Sequence, residues 1–479
     1  MINKDGSILI NEWDKAGISS PYVGFQEVRN LDLRSKLGSV MINEEPQDIT
    51  TGLANPITSL VISTSVDTAT GKIYAIDDDN TLYRYDTGEI LTYTEAGSRS
   101  GICVFKNYLL IVRGNNGYID VYGPLNSPSV TAGWYTSLGT PSSLNGTVPM
   151  IWGQDDILYI GVGSNVASIQ AIGTFDPSNS ATYLINTSAL DLPTRYHITH
   201  FVERGTRLMV CVTDGTQSMI YPWDRQSSSY DLPLILNEPS IEYVVSHGNY
   251  FYIMAGGRGR WYISDGNSVE VFSQLPDSFV NLSAGNFTTN QNGALYYDNK
   301  IVFGLSGQGS GTNDTPVGIY SLDIKTEAIR LEYTVSTGTS AYPLTMGALA
   351  KYSNQLYIAW ETTGDAGIDV IQNASNLYDS YTAYFISPMY QVSDAQERLF
   401  DRIEVILGKP LTSTGGIKLE YRKSDTEAFE PIDTITYTDD GALKKFILPF
   451  GVSTTTLQVK VSLTQTTGAS PELISIRII

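Results

Sequence analysis

The residues that could do chemistry in this chain are few. It has three histidines and two cysteines. His197 and His200 form the one histidine pair, in the run His-Ile-Thr-His. On a regular strand, positions three apart face opposite sides, so this pair is not expected to share a metal. No cysteine or carboxylate pair beside it completes a ligand set. His247 stands just before an apolar run and reads as a surface turn residue. Cys103 and Cys211 are isolated, outside any Cys-x-x-Cys spacing, and read as free thiols.

Three loops imitate ligand sites in composition. Asp77-Asp78-Asp79-Asn80 resembles a calcium loop but lacks its glycine and closing glutamate. It lies between two apolar runs, where a hairpin turn calls for the same residues. Gly307–Gly311 and Gly256–Arg260 resemble phosphate loops, yet neither ends in Gly-Lys-Ser/Thr nor opens a helix. The second places Arg258 and Arg260 on one loop of an acidic chain, a candidate contact for an acidic partner. No Gly-x-Ser-x-Gly occurs. Carboxylate pairs for glycoside cleavage cannot be read off a repeat protein, because the two groups come from different repeats. The expectation is a non-enzymatic protein with no cofactor and no metal.

The elements that must position these residues follow from composition and periodicity. The chain has 479 residues, too many for one ordinary core, so a large repeat domain with an appendage is expected. A 42% hydrophobic share excludes a disordered chain, and abundant Gly, Tyr, Ser and Thr favour strands and turns. The net charge of −20 repels phosphate backbones and anionic lipids, which argues against tight nucleic-acid or membrane binding. No apolar run approaches the length of a membrane-spanning helix, and residues 1–13 do not read as a secretory signal. Synthesis in a cytoplasm is expected.

One strand grammar recurs. Its instances are Lys72–Ile76, Tyr108–Val112, Ile157–Gly161, Arg207–Cys211, Tyr250–Met254, Lys300–Gly304 and Gln355–Ala359. Each is followed by a second strand: Thr81–Asp86, Tyr118–Gly123, Ser168–Gly173, Ser218–Asp224, Arg260–Asp265, Val317–Asp323 and Gly367–Gln372. A unit of about 40–50 residues has the length of a four-stranded propeller blade. The near-continuous apolar character fits sheets covered on both faces. The prediction is an all-β protein: a β-propeller of about seven irregular blades over 46–380, followed by a C-terminal antiparallel β-sandwich. Trp223-Asp224 and Gly256-Gly257 do not recur at the blade period, so the tryptophan–aspartate and kelch families are not supported.

The flanks differ from the repeat. Residues 1–45 read as an N-terminal arm followed by a propeller-closing strand. Trp13, Tyr22 and Phe25 are the candidate docking residues of the arm, and Ser39–Asn43 would begin the closure. Residues 381–479 carry 10 basic and 12 acidic residues, a net −2 that leaves −18 for the rest. Seven short runs there, among them Arg402–Leu407, Gly416–Arg422 and Thr456–Leu463, predict the sandwich, and the clean alternation within Ile417–Tyr421 and Leu457–Leu463 implies one buried and one wet face.

The plan as a whole resembles tail structural proteins of bacteriophages. The resemblance runs from Trp13 through Gly17-Ile18, Gly24 and Asn30-Leu31-Asp32 to Gly38. It continues through the irregular propeller to a closing segment with Phe385–Val392, Arg402–Leu407, Leu419–Asp425 and Ser470–Ile478. The nearest class is the propeller-containing nozzle or hub protein of short-tailed phages. That resemblance implies a homo-oligomeric ring that extends the DNA-ejection conduit. Its partners would be other copies, other tail proteins or fibres, and DNA that passes without specific binding. It implies a place in the virion tail, no membrane insertion and no catalytic residue. The main alternative is a host-surface recognition module that binds glycans through Tyr-rich loops. A glycan-cleaving propeller enzyme is a third.

Overall fold

The computed structural model describes residues 7–11, 13, 27–33, 38–49, 57–63, 72–77, 81–84, 93–94, 100–113, 117–125, 129–138, 148–275, 289–306, 317–336, 344–362, 365–371, 377–378, 382–392, 396–437, 443–465 and 469–479. Among them nearly every regular element is a strand. The chain forms two compact units. One holds residues 48–317 and 339–370; the other holds 1–47, 318–338 and 371–479.

The first unit is the propeller. Its blades are four-stranded antiparallel sheets in sequence order. The first runs through Ile57–Ser63, Lys72–Asp77, Thr81–Arg84 and Tyr93–Thr94. The second holds Ser100–Phe105, Tyr108–Arg113, Tyr118–Gly123 and Ser129–Tyr135. The third holds Met150–Trp152, Ile157–Val162, Asn165–Ala171 and Tyr183–Asp191. The fourth holds His197–Arg204, Arg207–Thr213, Ser218–Trp223 and Leu234–Leu236, and the fifth Ile241–His247, Tyr250–Ala255, Arg260–Ser264 and Val269–Gln274. The hairpin Ala294–Tyr297 with Lys300–Leu305 takes the sixth place. The last blade is Thr345–Tyr352, Gln355–Thr362 and Asp365–Ile371, and its fourth strand is Gln47–Asp48. The innermost strand of each blade touches that of the next all the way round, and Thr345–Tyr352 meets Ile57–Ser63. Among the described residues the ring is therefore closed, with seven places. The recurring run of the sequence is the second strand at every place, and the run after it is the third strand in the six blades other than the sixth.

Alternation explains why those runs look apolar throughout. In the second blade Leu109 and Ile111 pack with Tyr74 and Ile76 of the first. Leu110 and Val112, pointing the other way, pack with Leu158 and Ile160 of the third. In the fourth, Leu208 and Val210 face Tyr159 and Val166, while Met209 and Cys211 face Phe251 and Ile253. Both faces are dry, so a period of two carries no polar half. Each such buried aliphatic side chain stabilises by about 1.5–3 kcal/mol.

The seam of the ring needs a residue without a side chain. A Cβ on Gly347 would lie 2.5 Å from the carbonyl oxygen of Ile57 and 2.9 Å from Ala359 Cβ. Around it the last and first blades meet through small residues, Ala75, Ala348, Ala359 and Ala366. Gly101 is in the same position towards the third blade, 2.3 Å from Val148 O. Gly347→Ala is expected to cost about 1–3 kcal/mol through overpacking of backbone against backbone, read as a lower chemical-denaturation midpoint. An unchanged midpoint would show that the seam has room.

Turns close by side-chain capping. The Asp that ends several third strands accepts backbone N–H groups two and three residues on: Asp224 from Gln226 and Ser227, and Asp265 from Asn267 and Ser268. Asp214, between second and third strands, accepts from Thr216 and Gln217. Hydrogen bonds to the charged form hold Asp214 and Asp265 down at about 2. These carboxylates bind fewer protons folded than unfolded. Their contribution is complete above the ordinary carboxylate value near 4 and is lost as pH falls towards 2. An Asp214→Asn/Asp265→Asn variant should melt below the parent at pH 7 and alongside it at pH 2. An equal gap at both pH values would remove the carboxylate charge from the account.

The second unit has a sandwich core. One sheet runs Ile8–Ile10, Leu473–Ile478, Arg398–Leu407, Lys445–Thr454. The other includes Glu27–Arg29, Ala383–Ile386, Thr456–Gln465, Gly415–Arg422 and Glu430–Thr436. Ile403, Val405 and Ile476 from the first share one core with Phe385, Val461 and Leu419 from the second. The hairpin of Gly318–Asp323 and Ile329–Tyr333 belongs to this unit too, and Arg29 pairs with Leu331 in parallel.

The N-terminal stretch departs from the expected arm. Ile8–Ile10 pairs with the C-terminal strand, Ile8 opposite Ile478, and Val28, Leu31, Val40 and Ile42 sit in the sandwich core. The closing strand of the propeller is Gln47–Asp48, not Ser39–Asn43. Met41–Ile42 pairs instead with Leu31–Asp32, because alternation directs Val40 and Ile42 into the apolar core. Residues 1–47 thus form part of the C-terminal unit.

Candidate functional site

Trp13, expected on an exposed arm, is buried, with 1% of its surface exposed. Its Nε1 donates to Ile474 O at 2.7 Å, and its ring meets Phe385 edge to face at 5.1 Å. An indole with its one donor satisfied is a core residue here, not a docking residue. Tyr22 and Phe25 lie outside the described residues. So do Asp78–Asn80 and Gly307–Gly311.

Arg258 and Arg260 share a turn but not a role. Arg258 is exposed. Arg260 Nη1 pairs with Glu238 Oε1 at 3.2 Å, and its Nε donates to Gln274 Oε1 at 3.2 Å. Tyr262 Oη donates to the same Glu238 oxygen at 2.8 Å. The Arg260 charge is spent inside the chain, so only Arg258 remains of the proposed contact.

The histidine pair meets the structure in a different way from the strand argument. A bulge falls between Ile198 and His200, so His197 pairs with Thr213 and His200 with Cys211. That even step cancels the opposite-face separation. Burial separates their chemistry instead. His200 is buried, its Nε2 lies 3.3 Å from Gln291 O, and desolvation lowers its pKa to about 4. It is neutral at neutral pH. Among the described residues no group of three or more His, Cys, Asp or Glu could hold a metal ion. Burial also raises both thiols, Cys103 to about 12, so neither is an activated nucleophile.

Two features were missed. The first joins the third and fourth blades. The Arg225 guanidinium lies 2.7 Å from Glu203 Oε1 and 3.5 Å from Asp155 Oδ2. Tyr159 Oη donates to Asp155 Oδ2 at 2.5 Å. Arg225 has φ +69°, a left-handed conformation that a non-glycine residue adopts at a cost. In the sequence Asp155 stands in a turn before an apolar run and Arg225 follows Trp223-Asp224, and neither position marks a link between blades. The second is the open edge of the sandwich. Among the described residues, Lys445–Thr454 pairs only with Arg398–Leu407, and Glu430–Thr436 only with Gly415–Arg422. They flank a cavity of about 490 Å³ lined by Asp433, Ile435, Leu443, Lys445 and Ile447. Leu443 and Ile447 are exposed there, and Tyr437, the residue after Glu430–Thr436, is exposed too.

The strand order defines the class: a seven-place β-propeller with an antiparallel β-sandwich. No family model matches the sequence, and no curated protein matches it. Among solved structures, the chain is similar to the β-propeller domain of Myceliophteria thermophila Cps50 (Swd1), at 10% identity and a TM-score of 0.46, over 68% of this chain and 100% of that one. The Dos1 propeller aligns at 11% identity and a TM-score of 0.43, over 70% of this chain and 97% of that one. An exo-beta-1,3-galactanase from Phanerochaete chrysosporium aligns at 10% identity and a TM-score of 0.30, over 81% and 97%. Such faint likenesses carry no statement about activity.

Trp13→Ala should cost about 3–5 kcal/mol of the second unit's stability, the range for emptying a large aromatic site. Denaturation followed by limited proteolysis of that unit measures it. A loss below about 1 kcal/mol would return Trp13 to the surface.

Proposed function

We propose that this protein is a non-enzymatic structural component of a bacteriophage tail. Its copies form a homo-oligomeric ring that extends the DNA conduit and docks other tail proteins. The observation that carries the reading is the open sandwich edge. Two edge strands, each with one side free of a described partner, and the exposed Leu443 and Ile447 are a ready template for a partner's strand. A monomer that stayed alone would normally blunt such an edge. Two further features support it. The resemblance of the sequence spans the same plan of propeller and terminal sandwich. The net charge of −20 suits a wall along which DNA slides without being gripped.

Native mass across a concentration series tests the proposal, with Ile447→Asp beside the parent. Ile447 is 59% exposed, so its replacement should leave the fold intact. The expected result is a ring of defined subunit number for the parent and its loss in the variant. A parent that stays monomeric, alone and with the tail proteins encoded beside it, would overturn the reading. So would release of reducing ends from host polysaccharide by the purified protein.

A further inference from the structure

A groove between the third and fourth blades is built from pieces that the tail reading does not use. It measures about 430 Å³, within the range of small-molecule sites. Its floor is a grid on one face of the third blade. Ile157 lies opposite Gln170, and Gln170 opposite Leu184. In the next row Tyr159 lies opposite Ser168, and Ser168 opposite Asn186. Trp223, Arg225 and Gln226 of the fourth blade form the wall.

The polar groups here are unspent. The side chains of Ser168, Gln170 and Gln226 make no hydrogen bond within the described chain. Asn186 uses its Oδ1 on Ser188 N and keeps its amide donors. The Arg225 side chain is only 6% exposed, and its Nε is a buried donor without a partner. Beside these amides Leu184 is 58% exposed, an apolar surface in an otherwise polar row.

The electrostatics select the ligand. Among the described residues lining the groove Arg225 is the one cation, and Glu203 and Asp155 more than balance it. An anion would meet a net negative surround, and a cation would meet a committed ion pair. A ligand of neutral hydroxyls, each both donor and acceptor, suits amides that also do both. Its C–H faces suit Leu184 and Ile157. We propose that this groove binds a neutral saccharide: Gln170, Asn186 and Gln226 hydrogen-bond its hydroxyls, and Leu184 with Ile157 packs against its apolar face. The site stands apart from the tail assignment, and either can fail without the other.

The test is calorimetric titration of the full chain with maltohexaose, cellohexaose and chitohexaose, and with oligogalacturonate as the anionic counterpart. The expected result is saturable binding of at least one neutral oligosaccharide, weakened tenfold or more by Gln170→Ala/Asn186→Ala and abolished by Leu184→Asp. Arg258→Ala, on the far turn of the fifth blade, should change nothing. All three groove positions are exposed, and unchanged melting temperatures confirm the fold. If Leu184→Asp unfolds, the amide pair alone decides. Three outcomes would overturn the proposal: no neutral probe binding at millimolar concentration, binding that the groove variants leave intact, or oligogalacturonate binding as tightly as the best neutral probe.

Discussion

Ring closure is the constraint on which the propeller depends. Each blade has two apolar faces, and neither can be wet without exposing a row of Leu, Ile and Val side chains. The cost of leaving one face open is the full burial of that row, several side chains at about 1.5–3 kcal/mol each. The last blade must therefore reach the first. It does so where Gly347 lets two backbones approach and where alanines replace the larger residues of the other interfaces. The strand Gln47–Asp48 then completes the last sheet from the far end of the sequence, with Ile49 N donating to Ile368 O at 3.0 Å. That remote strand covers the outer edge of Asp365–Ile371.

The same economy of edges governs the sandwich, with one exception. The N-terminal strand covers the edge of Leu473–Ile478, and the buried Trp13 ties it down. The opposite edge stays open. Pro449 blunts it in part, since proline offers no donor to a ladder. Lys444 and Lys445 place charge at its start. Even so, Leu443 and Ile447 stand exposed beside the cavity that the two edge strands flank. An edge so partly protected suits a chain kept soluble until it meets its partner.

The Arg225 cluster and the groove beside it share one cause. Arg225, Glu203, Asp155 and Tyr159 come from two turns and two strands in two blades. Only lateral packing of one blade on the next brings them together. The saccharide groove is assembled in the same way, from three strands of one blade and a turn of another. Arg260 failed as a contact residue for the converse reason: Glu238, 22 positions away, reaches its guanidinium. The histidine pair turned on a single bulged residue, Thr199, which no composition rule marks.

The second strand of every blade, the third strand of six of them and the free state of both thiols were legible in the sequence. They follow from local alternation, turn residues and spacing, which are properties of neighbouring positions. The first and fourth strands were not, because they are short or interrupted and are held by the pairing of their neighbours. Nor were the destination of residues 7–49, the open edge or the groove. Each depends on contacts between residues hundreds of positions apart, such as Ile8 with Ile478, and only the folded chain selects among the partners that alternation alone permits.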